Sequence, residues 1–84
     1  MSDFADALAA LPVGTFYGTV ESRRYVVTKS TFSEGRSIKL VAEELGGGDY
    51  ISLNWYDLAA GARLKPCEMP AAKVTEFVLS LKPE

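Results

Sequence analysis

Tyr50-Ile51-Ser52-Leu53-Asn54-Trp55-Tyr56-Asp57-Leu58 changes side-chain character residue by residue. In an extended chain successive side chains point to opposite faces. Ile51, Leu53 and Trp55 then share one face, and Tyr50, Ser52, Asn54 and Tyr56 the other. This predicts a strand with one face in a core and one open to water. Gly46-Gly47-Gly48-Asp49 comes just before it and is the strongest breaker in the chain, so it reads as a hairpin turn.

The same signal extends in both directions. Residues 15–21 and 23–32 are rich in β-branched and aromatic side chains, including Tyr25, Val26, Val27, Thr28 and Thr31. Ser33-Glu34-Gly35 is a turn, and residues 37–44 put Ile38, Leu40 and Ala42 on one face. Ala59-Ala60-Gly61 is a further turn before a short strand at 62–67, which Pro66 marks as an edge or a bulge. Strands joined by short turns predict an antiparallel meander of four or five strands over residues 14–69. Its covered face should hold Phe16, Val20, Ile38, Leu40, Ile51, Leu53, Trp55 and Leu64. The adjacent pair Val26 and Val27 leaves the facing of residues 23–32 open.

The two ends read as helices. Phe4, Leu8 and Leu11 fall at i, i+4 and i+7, with Ser2 as N-cap, Asp3 and Asp6 in the first turns and Pro12 as the stop, giving a helix over 3–10. Val74, Phe77, Val78 and Leu81 repeat at helical spacing. With Pro70 in its first position and Pro83 beyond its end, they predict a helix over 70–82 that covers one face of the sheet. The fold class is therefore α+β, in a single domain spanning residues 1–84.

Composition narrows the chemistry. The 84 residues contain no histidine and one cysteine, with a net charge of −2. This removes the commonest general base and metal ligand, and leaves Cys67 without a partner for a disulfide or a thiolate zinc cage. Lys65 and Glu68 would pull the Cys67 thiol in opposite directions, so a structural cysteine is expected. Glu43, Glu44, Asp49 and Asp57 lack the alternating spacing of a calcium loop. The three glycines lack the Gly-Lys-Ser/Thr ending of a phosphate loop. No catalytic residue, cofactor or metal is expected. An acidic start, Met1-Ser2-Asp3-Phe4-Ala5-Asp6, and the lack of a long apolar run point to a cytoplasmic protein with no membrane partner.

Charge is distributed in blocks. Residues 1–21 carry −3, residues 22–40 carry +4, residues 41–58 carry −4 and residues 59–84 carry +1. Tyr17, Thr19, Ser37, Lys39, Arg63 and Lys65 share the outward face with Tyr50, Ser52, Asn54 and Tyr56. Aromatic platforms that stack bases, beside cations that meet phosphates, are how single-stranded nucleic acid is held. The competing reading of the same face is a protein–protein or homodimer interface, where tyrosine is also enriched. Ordering this short chain costs roughly 1.5 kcal/mol per residue, close to what apolar burial returns, which also favours a homodimer.

Two resemblances bear on these expectations. Arg23-Arg24-Tyr25-Val26-Val27, Gly35-Arg36-Ser37-Ile38-Lys39-Leu40 and Tyr50-Ile51-Ser52-Leu53, with a helix after the strands, resemble the strand rhythm of PUR repeats. Those repeats are similar to the transcriptional-coactivator family of helix-swapped dimers on single-stranded DNA. The resemblance implies nucleic-acid contacts at Tyr25, Arg36, Lys39 and Tyr50. The full expected binding set is therefore Tyr17, Tyr25, Arg36, Lys39, Tyr50, Tyr56, Arg63 and Lys65. Separately, Gly14-Thr15-Phe16-Tyr17-Gly18 resembles the Gly-Cys-Phe-Trp-Gly signature of A-type peptide methionine sulfoxide reductases. Thr15 stands where that family has its nucleophilic cysteine, and a hydroxyl cannot form the sulfenic acid the reaction passes through.

Overall fold

The computed structural model describes residues 3–58 and 61–84, with Leu58 described by its backbone alone. In chain order the elements are α1 (Asp3–Ala10), β1 (Gly14–Val20), β2 (Arg23–Phe32), β3 (Ser37–Glu44), β4 (Tyr50–Leu58), β5 (Gly61–Pro66), α2 (Ala71–Ser80) and β6 (Lys82–Pro83). Six strands form one antiparallel sheet in the order β5-β4-β3-β2-β1-β6. The meander and both helices match the expectation from sequence, but the strand count does not. Lys82 and Pro83, expected as the last helical residue and a stop, leave α2 and pair with Thr19 and Gly18 as a sixth strand. Two residues carry no periodicity, so such a strand is invisible until the sheet edge that receives it is in place.

Gly18 lets that pairing approach closely. A Cβ there would lie 2.8 Å from Leu81 Cδ1 and 3.1 Å from the Lys82 carbonyl oxygen. A side chain there would require Leu81 Cδ1 to turn aside and the Lys82 backbone to give by a few tenths of an ångström. Pro70 also sits one step from its expected place. It is the N-cap, with φ −64° and ψ 146°, and the helix begins at Ala71. The last meander strand runs from Gly61 to Pro66, not from 62 to 67. Residues 59–60 of the expected turn and the expected N-cap Ser2 lie outside the described residues.

Both helices pack on the same face of the sheet. Leu8 from α1 and Val74, Phe77 and Val78 from α2 are buried with Tyr25, Val27, Ile38, Leu40, Ala42, Ile51 and Leu53. Phe16, Val20, Trp55 and Leu64, expected in this core, pack against it half-buried. The ambiguity in β2 is resolved by register. Val27 lies opposite Phe16 and Ala42, so Tyr25, Val27 and Lys29 face the helices, while Arg24, Val26, Thr28 and Ser30 face away. Lys29 is buried, and its Nζ donates to the carbonyl oxygens of Leu8, Ala9 and Leu11 at 2.7, 3.1 and 2.8 Å. These groups close the end of α1, where carbonyls lack helical partners.

Candidate nucleic-acid interface

The face of the sheet turned away from the helices is ordered in rows by the strand register. Residues directly opposite in an antiparallel pair share a face, with strands about 4.8 Å apart and same-face residues about 6.8 Å apart along a strand. One row runs Phe32, Ser37, Tyr56, Arg63, and the next Ser30, Lys39, Asn54, Lys65. A third contains Thr15, Thr28, Val41 and Ser52, and a fourth Tyr17, Val26, Glu43 and Tyr50. Arg24, Thr19 and Lys82 form the last. The first two rows carry Lys39, Arg63 and Lys65 and no carboxylate.

Six of the eight expected binding residues, Tyr17, Lys39, Tyr50, Tyr56, Arg63 and Lys65, meet on this face. Tyr25 does not. It is 3% exposed on the opposite face, its ring stands edge-on to Phe77 at 4.9 Å, and its hydroxyl donates to Asp49 Oδ2 at 2.8 Å. Burial and the Asp49 carboxylate both hold the Tyr25 phenol above its ordinary range. The sequence conceals this because Tyr25 suits a core position and a stacking platform equally well. Arg36 also falls outside the set. It is exposed in the turn between β2 and β3, and its carbonyl accepts from the Asp57 N–H at 2.7 Å.

Side chains fix the ends of the surface. Thr15 and Thr28 share a hydroxyl–hydroxyl bond of 3.1 Å, which gives Thr15 a cross-strand structural role. Asn54 Nδ2 donates to Cys67 Sγ at 3.6 Å, seating the half-buried thiol at the sheet edge. At the opposite corner the Arg24 guanidinium lies 4.4 Å from the Tyr17 ring centroid. It donates from Nε and a terminal nitrogen to the two Glu84 carboxylate oxygens at 2.7 and 3.0 Å. This pairing lowers the Glu84 carboxyl below its usual range and raises Arg24. No local pattern in the sequence marks Arg24 and Glu84 as partners. Their meeting depends on β6, which carries Glu84 back across Tyr17 through a Glu84 N–H to Tyr17 carbonyl bond of 2.9 Å.

The covered side holds an open cleft of about 380 Å³ between the sheet and the first turns of α2. Tyr25, Ile51 and Phe77 line it with Asp49 and Lys73. Lys73 Nζ is 2.8 Å from Asp49 Oδ1, and Arg23 is 3.9 Å from Glu44. The Lys73 bond, and after it that of Tyr25, lowers the Asp49 carboxyl. Among the described residues no group of three metal-ligating side chains converges, and no helix is long and apolar enough to cross a membrane.

Comparison of the chain with protein-family models, curated proteins and solved structures finds no match.

Proposed function

We propose that this is a non-enzymatic module that binds single-stranded nucleic acid with low sequence specificity through the open face of its sheet. The supporting observation is charge segregation. The open face carries Arg24, Lys39, Arg63, Lys65 and Lys82 against Glu43 and Glu84, five cations to two carboxylates, in a chain whose net charge is −2. Lys39 and Lys65 flank Asn54 in one row, about 10 Å apart at the backbone. Arg63 and Tyr56 are direct neighbours in the next. Cations at this spacing meet successive phosphates, and Tyr56, Tyr50 and Phe32 offer ring faces for bases. The open face is several strands wide, broader than the two-stranded ribbon a major groove admits, so single strands are preferred to duplex.

Fluorescence anisotropy with a labelled oligothymidylate in 50 mM salt tests the reading. Three phosphate contacts at Lys39, Arg63 and Lys65 give a log–log salt slope of about −2. Lys39→Glu and Arg63→Glu weaken all sequences alike. Tyr56→Ala costs about 1–3 kcal/mol per stacked base. No binding at tens of micromolar protein discards the reading.

The second reading is an interface with another protein or with a second copy of this chain. Its support is the exposure of Tyr17, Phe32 and Tyr50, at 46%, 55% and 45%, around the half-buried Val26 and Val41. Light scattering at micromolar concentration separates the two, because a dimer through this face would compete with the oligonucleotide.

A further inference from the structure

We infer that Arg24 is an additional phosphate-binding position, held closed by Glu84. The inference rests on the nucleic-acid reading above, which counts Arg24 in the charge of the open face but assigns phosphate contacts only to Lys39, Arg63 and Lys65. Three observations carry it. The guanidinium is held in place, because its carbon lies over the Tyr17 ring 4.4 Å from the centroid while its nitrogens are bonded to Glu84. Its donors are aimed in parallel, since two nitrogens reach two oxygens of one carboxylate at 2.7 and 3.0 Å. A phosphodiester presents two anionic oxygens to the same fork, so the Glu84 carboxylate stands where a phosphate would. Third, the pair is solvent-facing, with the two side chains 51% and 43% exposed, so exchange of one anion for another needs no unfolding.

Position on the sheet makes the site useful. Lys39 lies one strand over and three rows along from Arg24, about 20 Å away. A single strand crossing the face from Arg63 past Lys39 to Arg24 would cover about 30 Å, roughly five nucleotides, near the lower end of the range for sheet-based binders. Glu43 lies on that path. Tyr17 therefore serves as the support for Arg24 on the ring face it presents to the guanidinium, not as a stacking platform there.

The test is a double-mutant cycle with Glu84→Gln and Arg24→Gln, read by anisotropy with the labelled oligothymidylate in 50 mM salt. One added phosphate contact is worth roughly eightfold at that salt relative to 1 M and steepens the salt slope by about 0.7. Glu84→Gln is expected to tighten binding by several-fold with that change of slope. Arg24→Gln alone should change affinity little, and added to Glu84→Gln it should abolish the gain. In a parallel arm, inorganic phosphate is titrated into both proteins while the Arg24 Nε–H signal is followed by NMR, and Glu84→Gln should show the larger shift. Equal affinities for the wild type and Glu84→Gln, with no phosphate-dependent shift at Arg24, overturn the inference while leaving the Lys39–Arg63–Lys65 surface in place. If wild type and Glu84→Gln both fail to bind oligonucleotide, the nucleic-acid reading falls, and the phosphate arm alone decides whether Arg24 takes an anion.

Discussion

Lys29 Nζ lies 2.7 Å from the carbonyl oxygen of Leu8, and this contact joins the middle of the sheet to the end of the first helix. The ammonium also reaches Ala9 and Leu11, so three donors meet three acceptors, with the Leu8 and Leu11 bonds buried and the Ala9 bond partly so. Burial pushes the Lys29 ammonium below its ordinary range. Lys29→Met keeps the length of the side chain and removes the donors. It is expected to destabilise the fold by about 1–3 kcal/mol, because the buried Leu8 and Leu11 carbonyls lose the ammonium donor. Urea denaturation measures it. A stability equal to that of the wild type would mean that α1 is held by Phe4, Leu8 and Leu11 alone.

Phe77 ties α2 to the sheet through its contact with Tyr25. Phe77→Ala is expected to cost about 3–5 kcal/mol, enough to unfold much of so small a domain. Phe77→Leu keeps most of the apolar volume and should retain the fold with a lower midpoint. Circular dichroism during thermal unfolding distinguishes them, and an unchanged midpoint in Phe77→Ala would show that Phe77 adds nothing to the packing of α2 on the sheet.

The Asp49–Lys73 bond gives α2 a pH dependence. The Asp49 carboxyl sits below its usual value in the folded state, so it releases its proton more readily there than in the unfolded chain. Its contribution is complete above the ordinary carboxylate value of about 4 and is lost as pH falls through the folded value. Asp49→Asn should flatten the acid side of the stability profile and leave its slope near neutrality unchanged. An identical acid limb in the variant would show that the bond adds nothing to folding.

Glu21 and Ser22 form the two-residue turn between β1 and β2, with φ of 50° and 68°. Both are left-handed, as a hairpin loop of this length requires, yet neither is glycine or asparagine. Ser22→Gly is expected to stabilise the protein by up to about 1 kcal/mol through relief of the side-chain clash. A shift in the denaturation midpoint of the opposite sign would show that unfolded-state entropy outweighs the strain.

Turnover of a methionine sulfoxide peptide with a dithiol reductant is expected to be absent. Thr15 is engaged with Thr28, and Cys67 lies at the edge of the sheet beside Asn54. A measurable rate that vanished in Cys67→Ser would reverse this expectation.

The strands were legible because their chemistry is local. Alternation in Tyr50–Leu58 depends only on the geometry of an extended chain beside a core, and it correctly gathered Tyr50, Ser52, Asn54 and Tyr56 on one face. Helical spacing at Val74, Phe77 and Leu81 carries the same kind of information, and all three are buried. What the tertiary structure decided was where ambivalent residues go. Tyr25 turned inward because Val27 beside it had to meet Phe16 and Ala42, and strand geometry allows one choice for both. Lys29 followed Tyr25 and Val27 onto the covered face, where the end of α1 could satisfy its charge. The pairing of Arg24 with Glu84 spans 60 residues and depends on a two-residue strand admitted by Gly18. Local patterns report which face of an element is apolar. Contacts between distant segments depend on how the elements close upon one another, and only the folded chain contains that.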